Sequence, residues 1–206
     1  MKEKMDANNF KFSEDFSVSL NFDGVPMFKS SSVSAWPVLG TVDGLPVKTG
    51  SKAVLLFGVW IGKKRNNLLI DEMIGRLLHR FDKLRTEGMA WSTTTGELRR
   101  SRVLISRVLC DSQGRPTLTK LQHLRGTFGC GYCLQERDTT DKEKGAEFPY
   151  ILPMATMRTP EHIESVLING YGTRKKFIEG KGKWFQGING RSLFMDVPSF
   201  DVIKGA

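Results

Sequence analysis

The pattern of apolar and polar residues predicts strands and helices that alternate along the chain. From Phe16 to Phe22 apolar and polar residues alternate, which indicates a strand with one buried face. The continuous apolar run from Ala53 to Ile61 predicts a strand covered on both faces, and a third strand follows at Val103 to Cys110. Between Leu69 and Leu84 apolar residues recur at intervals of three and four, which predicts an amphipathic helix.

The other segments give weaker signals. Residues 86–101 are polar and irregular, and a short helical segment is expected over residues 114–124. Thr159 followed by Pro160 is a typical helix start, and we expect that helix to end near Ile168. Strands that alternate with helices favour an α/β fold, and the irregular segments leave room for a mixed sheet.

Composition narrows the possible partners. The 206 residues include 31 Lys and Arg against 22 Asp and Glu, a net charge of +9, which favours a polyanionic partner.

No apolar run approaches the roughly 18 residues of a membrane span, and residues 1–15 are polar, as in a flexible leader. We therefore expect an intracellular protein that is not secreted and does not contact a membrane. No glycine-rich phosphate loop follows a strand, which argues against a nucleotide cofactor.

Two aspartates directly follow predicted strands. Asp23 comes after the first strand, and Asp111 comes after the strand that ends at Cys110. Polar groups at the carboxyl ends of strands gather at one edge of an α/β sheet. Two carboxylates brought together there repel unless a hard cation lies between them, so we predict a site for Mg²⁺ or Mn²⁺. The alternative is that Asp23 is a turn residue before Gly24 and Asp111 a helix N-cap.

A cysteine pair offers a second kind of chemistry. Cys130 and Cys133 form a Cys-x-x-Cys motif, which is half of a tetrahedral Zn²⁺ site. His123 and His162 are the nearest histidines that could complete the site, although their spacing does not support it. The same motif also fits a redox dithiol or two small buried residues.

Clustered basic residues are candidate contacts to nucleic acid. Phosphate groups attract such clusters, although many basic stretches are only solvated faces. The candidates are Lys63, Lys64, Arg65, Arg115, Arg125, Arg174, Lys175 and Lys176.

Several stretches, taken in order, resemble the catalytic region of transposases related to the CACTA superfamily. They include Asn21 to Ser31 (NFDGVPMFKSS), Trp36-Pro37-Val38, Leu109-Cys110-Asp111, Gly129 to Cys133, and Phe200 to Gly205 (FDVIKG). The resemblance extends over roughly residues 16–206, and it rests on the order and spacing of these stretches.

This resemblance implies an RNase H-like fold whose two aspartates and one glutamate bind Mg²⁺ or Mn²⁺. By position Asp23 is the first acid and Asp111 the second, while Cys130 and Cys133 supply half of a zinc site whose histidines lie later. The third acid is expected beyond Ala206. The function implied is that of a nuclear enzyme that cuts DNA and joins it by phosphoryl transfer, and that self-associates in its full-length form.

On this interpretation, residues 16–134 are the N-terminal part of a catalytic domain with a mixed sheet flanked by helices. Residues 135–206 are a linker and an insertion segment, truncated at the C-terminus, and the fragment is expected to be inactive alone. Two other functions stay open. One is a non-catalytic nucleic-acid-binding remnant of a transposase, and the other is a thiol-disulfide oxidoreductase that uses the two cysteines.

Overall fold

The chain folds as a mixed α/β protein. The computed structural model describes residues 15–28, 33–46, 53–62, 67–138, 148–149, 152–171, 186–198 and 200–206. Two compact units are present. The first takes in the described residues up to Asp111 together with Asp196–Phe200 and Gly205, and the second takes in those of Ser112–Met195 together with Asp201–Lys204 and Ala206. No helix among the described residues is long and apolar enough to cross a membrane.

The first unit contains most of the strands and the longest helix. Its elements are β1 (Phe16–Phe22), β2 (Val25–Pro26), β3 (Ser34–Val42), β4 (Val54–Gly62), α1 (Asn67–Thr86), β5 (Met89–Ser92), β6 (Leu98–Ser101) and β7 (Val103–Cys110). The predictions of β1, α1 and β7 are confirmed, the two strands to the residue.

Five strands form one mixed sheet. Its order is β2-β3-β1-β7, and β4 pairs with β3. The β1 and β3 strands are antiparallel, β3 and β4 are antiparallel, and β1 and β7 are parallel. A parallel pair needs a crossover, and the chain between β4 and β7 contains helix α1. The predicted α/β fold with a mixed sheet is therefore confirmed.

Helix α1 and strand β1 contribute much of this unit's core. The alternation in β1 buries Val18, Leu20 and Phe22, each at most 3% exposed. On α1 the buried residues follow the helical period and are Ile70, Ile74, Leu77 and Phe81. Each such side chain contributes about 1.5–3 kcal/mol when it is fully buried, so this face fixes the helix on its unit.

The prediction that the apolar run of β4 is covered on both faces is wrong. Val54, Leu56 and Ile61 are 50%, 64% and 56% exposed. Among the described strands β4 pairs only with β3, so it lies at an edge of the sheet. A continuous apolar run therefore does not show that both faces of β4 are packed, because many of its side chains are exposed.

The segment predicted to be irregular contains a hairpin. Strands β5 and β6 pair in antiparallel register, from Met89 opposite Ser101 to Ser92 opposite Leu98. Trp91 anchors this hairpin: its Nε1 donates a hydrogen bond of 3.0 Å to Ser101 Oγ, and its ring lies 5.8 Å from that of Phe16. Strands of four residues are too short for their period to stand out in the sequence.

The second unit contains α2 (Gly114–Thr119), α3 (Pro160–Tyr171) and a 3₁₀ turn (Leu193–Asp196). The N-cap at Thr159 is confirmed, because its Oγ1 accepts a hydrogen bond of 3.1 Å from the backbone of His162. Helix α2 ends earlier than predicted because Lys120 adopts a left-handed conformation with φ of 58°. Helix α3 ends later than predicted.

Candidate functional site at the ends of strands β1 and β7

The register of β1 and β7 places the two predicted aspartates at neighbouring positions. The two strands run parallel, and their last paired residues are Phe22 and Cys110. Asp23 and Asp111 directly follow that pair, and both are exposed. Adjacent strands lie about 4.8 Å apart, so the backbones that carry the two carboxyl groups leave the sheet side by side. The predicted juxtaposition of strand ends is therefore present.

A β-bulge sets this register. Val18 pairs with Ile105, but the next residue, Ser19, pairs with Arg107, so Ser106 is an extra residue in β7. A bulge of this kind shifts all later pairs by one position and re-aims the side chains that follow it. The burial pattern shows the shift, because Val103, Ile105 and Val108 are buried while the odd-numbered positions after the bulge are exposed.

The bulge decides which residue comes level with Asp23. If Ser106 were paired with Ser19 in the ladder instead of bulging out, Asp23 would come level with Cys110 instead of Asp111. A shift of one position also turns a side chain to the other face of the sheet. The bulge in β7 thus brings two aspartates, rather than one aspartate and one cysteine, to the same level at the strand ends.

The structure also bears on the alternative interpretations of these aspartates. Helix α2 begins at Gly114, and Gln113 before it already has helical backbone angles and makes no side-chain capping bond, so the N-cap interpretation of Asp111 stays open. Gly24 does not adopt a left-handed conformation. A Cβ atom on Gly24 would lie 2.6 Å from the Trp36 ring. Glycine is therefore required next to Asp23 by the close approach of an aromatic ring.

The oxygen donors at this edge suit a hard cation such as Mg²⁺ or Mn²⁺. Asp23 and Asp111 can supply one carboxylate each. Within the part of the chain that the structure describes, no third His, Cys, Asp or Glu joins them in a group that could hold a metal ion. A cation site here therefore stays a prediction that rests on the register of β1 and β7.

A third carboxylate, which the sequence did not single out, lies in a polar cluster on the same sheet. Asp43 accepts hydrogen bonds from Ser17 at 2.8 Å, from Ser19 at 2.5 Å and from the bulge residue Ser106 at 2.6 Å. The guanidinium of Arg107 donates to Ser19 Oγ at 2.8 Å and lies 3.8 Å from an Asp43 oxygen. We call these five residues the Asp43 cluster.

The cluster fixes the charge of Asp43. Burial alone would raise its pKa, but the three serine hydroxyls and the charge of Arg107 outweigh burial and lower the pKa below its usual value. The Asp43 side chain is only 20% exposed. Its oxygens serve to hold β1, β7 and the end of β3 together.

The two cysteines lie together in the second unit. The Sγ atoms of Cys130 and Cys133 are 3.3 Å apart, and the backbone N–H of Tyr132 points to Cys130 Sγ at 3.5 Å. Burial opposes ionisation of both thiols, but hydrogen bonds from Tyr132 and Cys133 lower the pKa of Cys130. The pKa of Cys133 is raised by burial and by the neighbouring Cys130.

A buried arginine supports the cysteine turn. Arg158 is 3% exposed, and its side chain donates hydrogen bonds of 3.0 Å to the carbonyls of Cys130 and Phe128. Burial lowers the pKa of Arg158, while the two cysteines act in the opposite direction. Sequence reasoning missed this residue because its partners lie 28 and 30 positions away.

Two sulfur atoms fit half of a zinc site, whose full set is four ligands. Neither His123 nor His162 joins Cys130 and Cys133 in a metal-binding group among the described residues. The ring of His162 instead shares a hydrogen bond of 2.5 Å with Gln186.

The predicted nucleic-acid residues fall into two sets. Arg125 is exposed, whereas Arg115 stacks on the Tyr132 ring at 4.1 Å and donates a hydrogen bond of 2.6 Å to the carbonyl of Ile203. Arg115 therefore has an internal structural role. The other candidates lie outside the described residues and are Lys63, Lys64, Arg65, Arg174, Lys175 and Lys176.

Comparison with known proteins places the chain in no family. No family model matches it, and no curated protein is significantly similar to it. What the geometry defines is a mixed α/β protein with one aspartate directly after each of two adjacent parallel strands.

Proposed function

We propose that this chain is part of the catalytic region of a DNA transposase that cuts and joins DNA by metal-dependent phosphoryl transfer. The observation that carries the proposal is the alignment of Asp23 with Asp111 at the carboxyl ends of adjacent parallel strands. Such edges are where α/β folds assemble their sites.

The order of the elements supports an RNase H-like fold for this region. Three long strands follow one another in antiparallel pairs, from β1 to β3 and from β3 to β4. Helix α1 comes next, and β7 then pairs with β1 in parallel. Asp23, the first acid that the resemblance implies, directly follows β1. Asp111, the second acid, directly follows β7, the strand beside β1.

In this function Asp23 and Asp111 would hold Mg²⁺ or Mn²⁺. When bound, the metal would supply Lewis-acid stabilisation of the attacking and leaving oxygens of a phosphodiester. Exposed arginines of the same unit, such as Arg99 and Arg107, would hold the phosphate backbone without reading its sequence. Cys130 and Cys133 would hold half of a structural zinc site, and a nuclear location and self-association of the full-length protein would follow from this activity.

Calorimetric titration with Mn²⁺ tests the proposal. We expect Asp23→Asn and Asp111→Asn each to weaken binding by about tenfold or more, because each removes a charged ligand. Asp82→Asn, an exposed acid on α1, is the matched control and should bind as the wild type does. Equal affinity of all four proteins would overturn the paired-acid site.

A second candidate function is nucleic-acid binding without cleavage. It is favoured by the exposed arginines Arg76, Arg99 and Arg107, which are 78%, 49% and 55% exposed. Binding of this kind depends on phosphate neutralisation and falls steeply with salt. If affinity for DNA is salt-sensitive in both the wild type and Asp23→Asn, while neither protein binds Mn²⁺, this second function replaces the first.

A further inference from the structure

A cavity lies between strand β4 and helix α1. Its volume is about 340 Å³, within the range that small-molecule sites occupy. Half-buried Phe57 and Trp60 line its sheet side, and Arg76 and Arg80 line its helix side. We call this space the β4–α1 cavity.

Gly58 lies beside a β-bulge in β4, because Val38 pairs with Gly58 and Leu39 with Leu56, which leaves Phe57 as the extra residue. This glycine lies inside β4 and lines the cavity, yet its backbone is not in the left-handed region that requires glycine. A Cβ atom there would meet Met73 at 3.5 Å, an ordinary van der Waals contact. Glycine in a strand interior often marks a bulge, which accounts for Gly58, and the missing Cβ atom leaves the space in front of Met73 unfilled.

The charges beside the cavity favour an anion. Arg76 and Arg80 lie one helical turn apart on α1, so they face the same side of the helix. Glu72 binds Arg76 at 2.5 Å, which leaves one positive charge in excess. An aromatic wall beside an arginine pair suits a ligand with both a flat ring and a phosphate.

We propose that the β4–α1 cavity binds one unpaired nucleotide of a DNA strand. The base stacks on the Trp60 ring, and the phosphate lies against Arg76 and Arg80. Stacking on an aromatic side chain tolerates any base, so this contact selects single-stranded over duplex DNA. The inference rests on the proposed function in taking DNA as the partner, and it adds that the substrate carries an unpaired segment.

Fluorescence anisotropy with two labelled duplexes tests this inference, one with a single-stranded overhang and one blunt. We expect the wild type to prefer the overhang by about tenfold, the typical effect of one stacked base. Trp60→Ala should abolish the preference and Trp60→Phe should restore most of it. Val59→Ala is the matched control, because Val59 directly precedes Trp60 in β4, is 47% exposed and does not line the cavity.

Gly58→Val provides an independent test, because it adds a branched side chain to the cavity wall without removing an aromatic side chain. It should also abolish the preference, and circular dichroism checks that each variant is folded. Equal binding of both duplexes by the wild type would overturn the inference, as would a folded Gly58→Val that keeps the preference. The Mn²⁺ affinity of the same variants is measured as well and should equal that of the wild type. Loss of the overhang preference with unchanged Mn²⁺ affinity then concerns the β4–α1 cavity alone, whereas absence of Mn²⁺ binding concerns the aspartates.

Discussion

Two regions of one sheet use carboxylates in opposite ways. In the Asp43 cluster three serine hydroxyls and an arginine surround a carboxylate that is only 20% exposed. At the strand ends, Asp23 and Asp111 are exposed and stand beside each other on parallel strands. A single bulge at Ser106 serves both regions, since it supplies one of the hydroxyls and sets the register of the strand ends.

The difference in exposure and hydrogen bonding distinguishes Asp43, which has a structural role, from Asp23 and Asp111, which are candidate metal ligands. Hydrogen bonds that hold Asp43 in place contribute to stability, and they leave its oxygens little capacity for a ligand. Asp23 is exposed at the end of β1, where a cation can reach it. The two regions should therefore respond differently to the same substitutions.

The largest expected effect is on stability at Asp43. Asp43→Ala should lower the free energy of unfolding by about 2–3 kcal/mol, because it removes a charged acceptor and leaves the buried hydroxyl of Ser19 without it. Asp23→Ala should change stability by less than about 0.5 kcal/mol, as exposed substitutions do. Urea denaturation of both variants measures the difference, and comparable losses would erase the distinction between the two regions.

A smaller effect should appear in the pH dependence of stability. The folded pKa of Asp43 is lowered relative to the unfolded value of about 3.9. Its contribution is therefore fully present above that value and is lost as pH falls through the folded pKa. Thermal melts of the wild type and Asp43→Asn should differ at neutral pH and converge in strong acid. A gap that widens as pH falls would contradict the hydrogen-bonded role of Asp43.

The smallest effect should come from repulsion between the strand-end acids. At low salt and with a chelator present, Asp23→Asn should stabilise the protein by a few tenths of a kcal/mol, since like charges on neighbouring strands repel. Asp82→Asn, which removes an acid bound to Arg85 at 2.7 Å, should not stabilise the protein and serves as the control. Differential scanning calorimetry can resolve the difference in melting temperature. A loss of stability in Asp23→Asn would mean that Asp23 has a structural partner.

The sequence was informative wherever a side-chain period persisted over several turns or positions. Strand β1 and helix α1 were predicted because each buries one face over its whole length. The same reasoning overestimated the burial of β4, because an apolar run does not report whether the strand lies at an edge. The β5–β6 hairpin was missed because its strands have four residues each.

The site was predictable only in part. The position of Asp23 and Asp111 after two strands could be seen from the sequence, and a parallel pairing of those strands makes them neighbours. The bulge at Ser106 could not be predicted, because one extra residue leaves no clear mark on the apolar pattern of β7. The Asp43 cluster was missed because its serines lie 24 to 63 positions away in sequence.

The central claim is that Asp23 and Asp111 together bind one divalent cation. The most direct measurement is the Mn²⁺-induced broadening of backbone amide signals in a ¹⁵N-labelled protein. Broadening should be strongest at Asp23, Gly24 and Asp111, weak at Asp43, and absent from all of them in Asp23→Asn. Broadening centred on Asp43, or broadening at Asp111 that survives Asp23→Asn, would contradict the account.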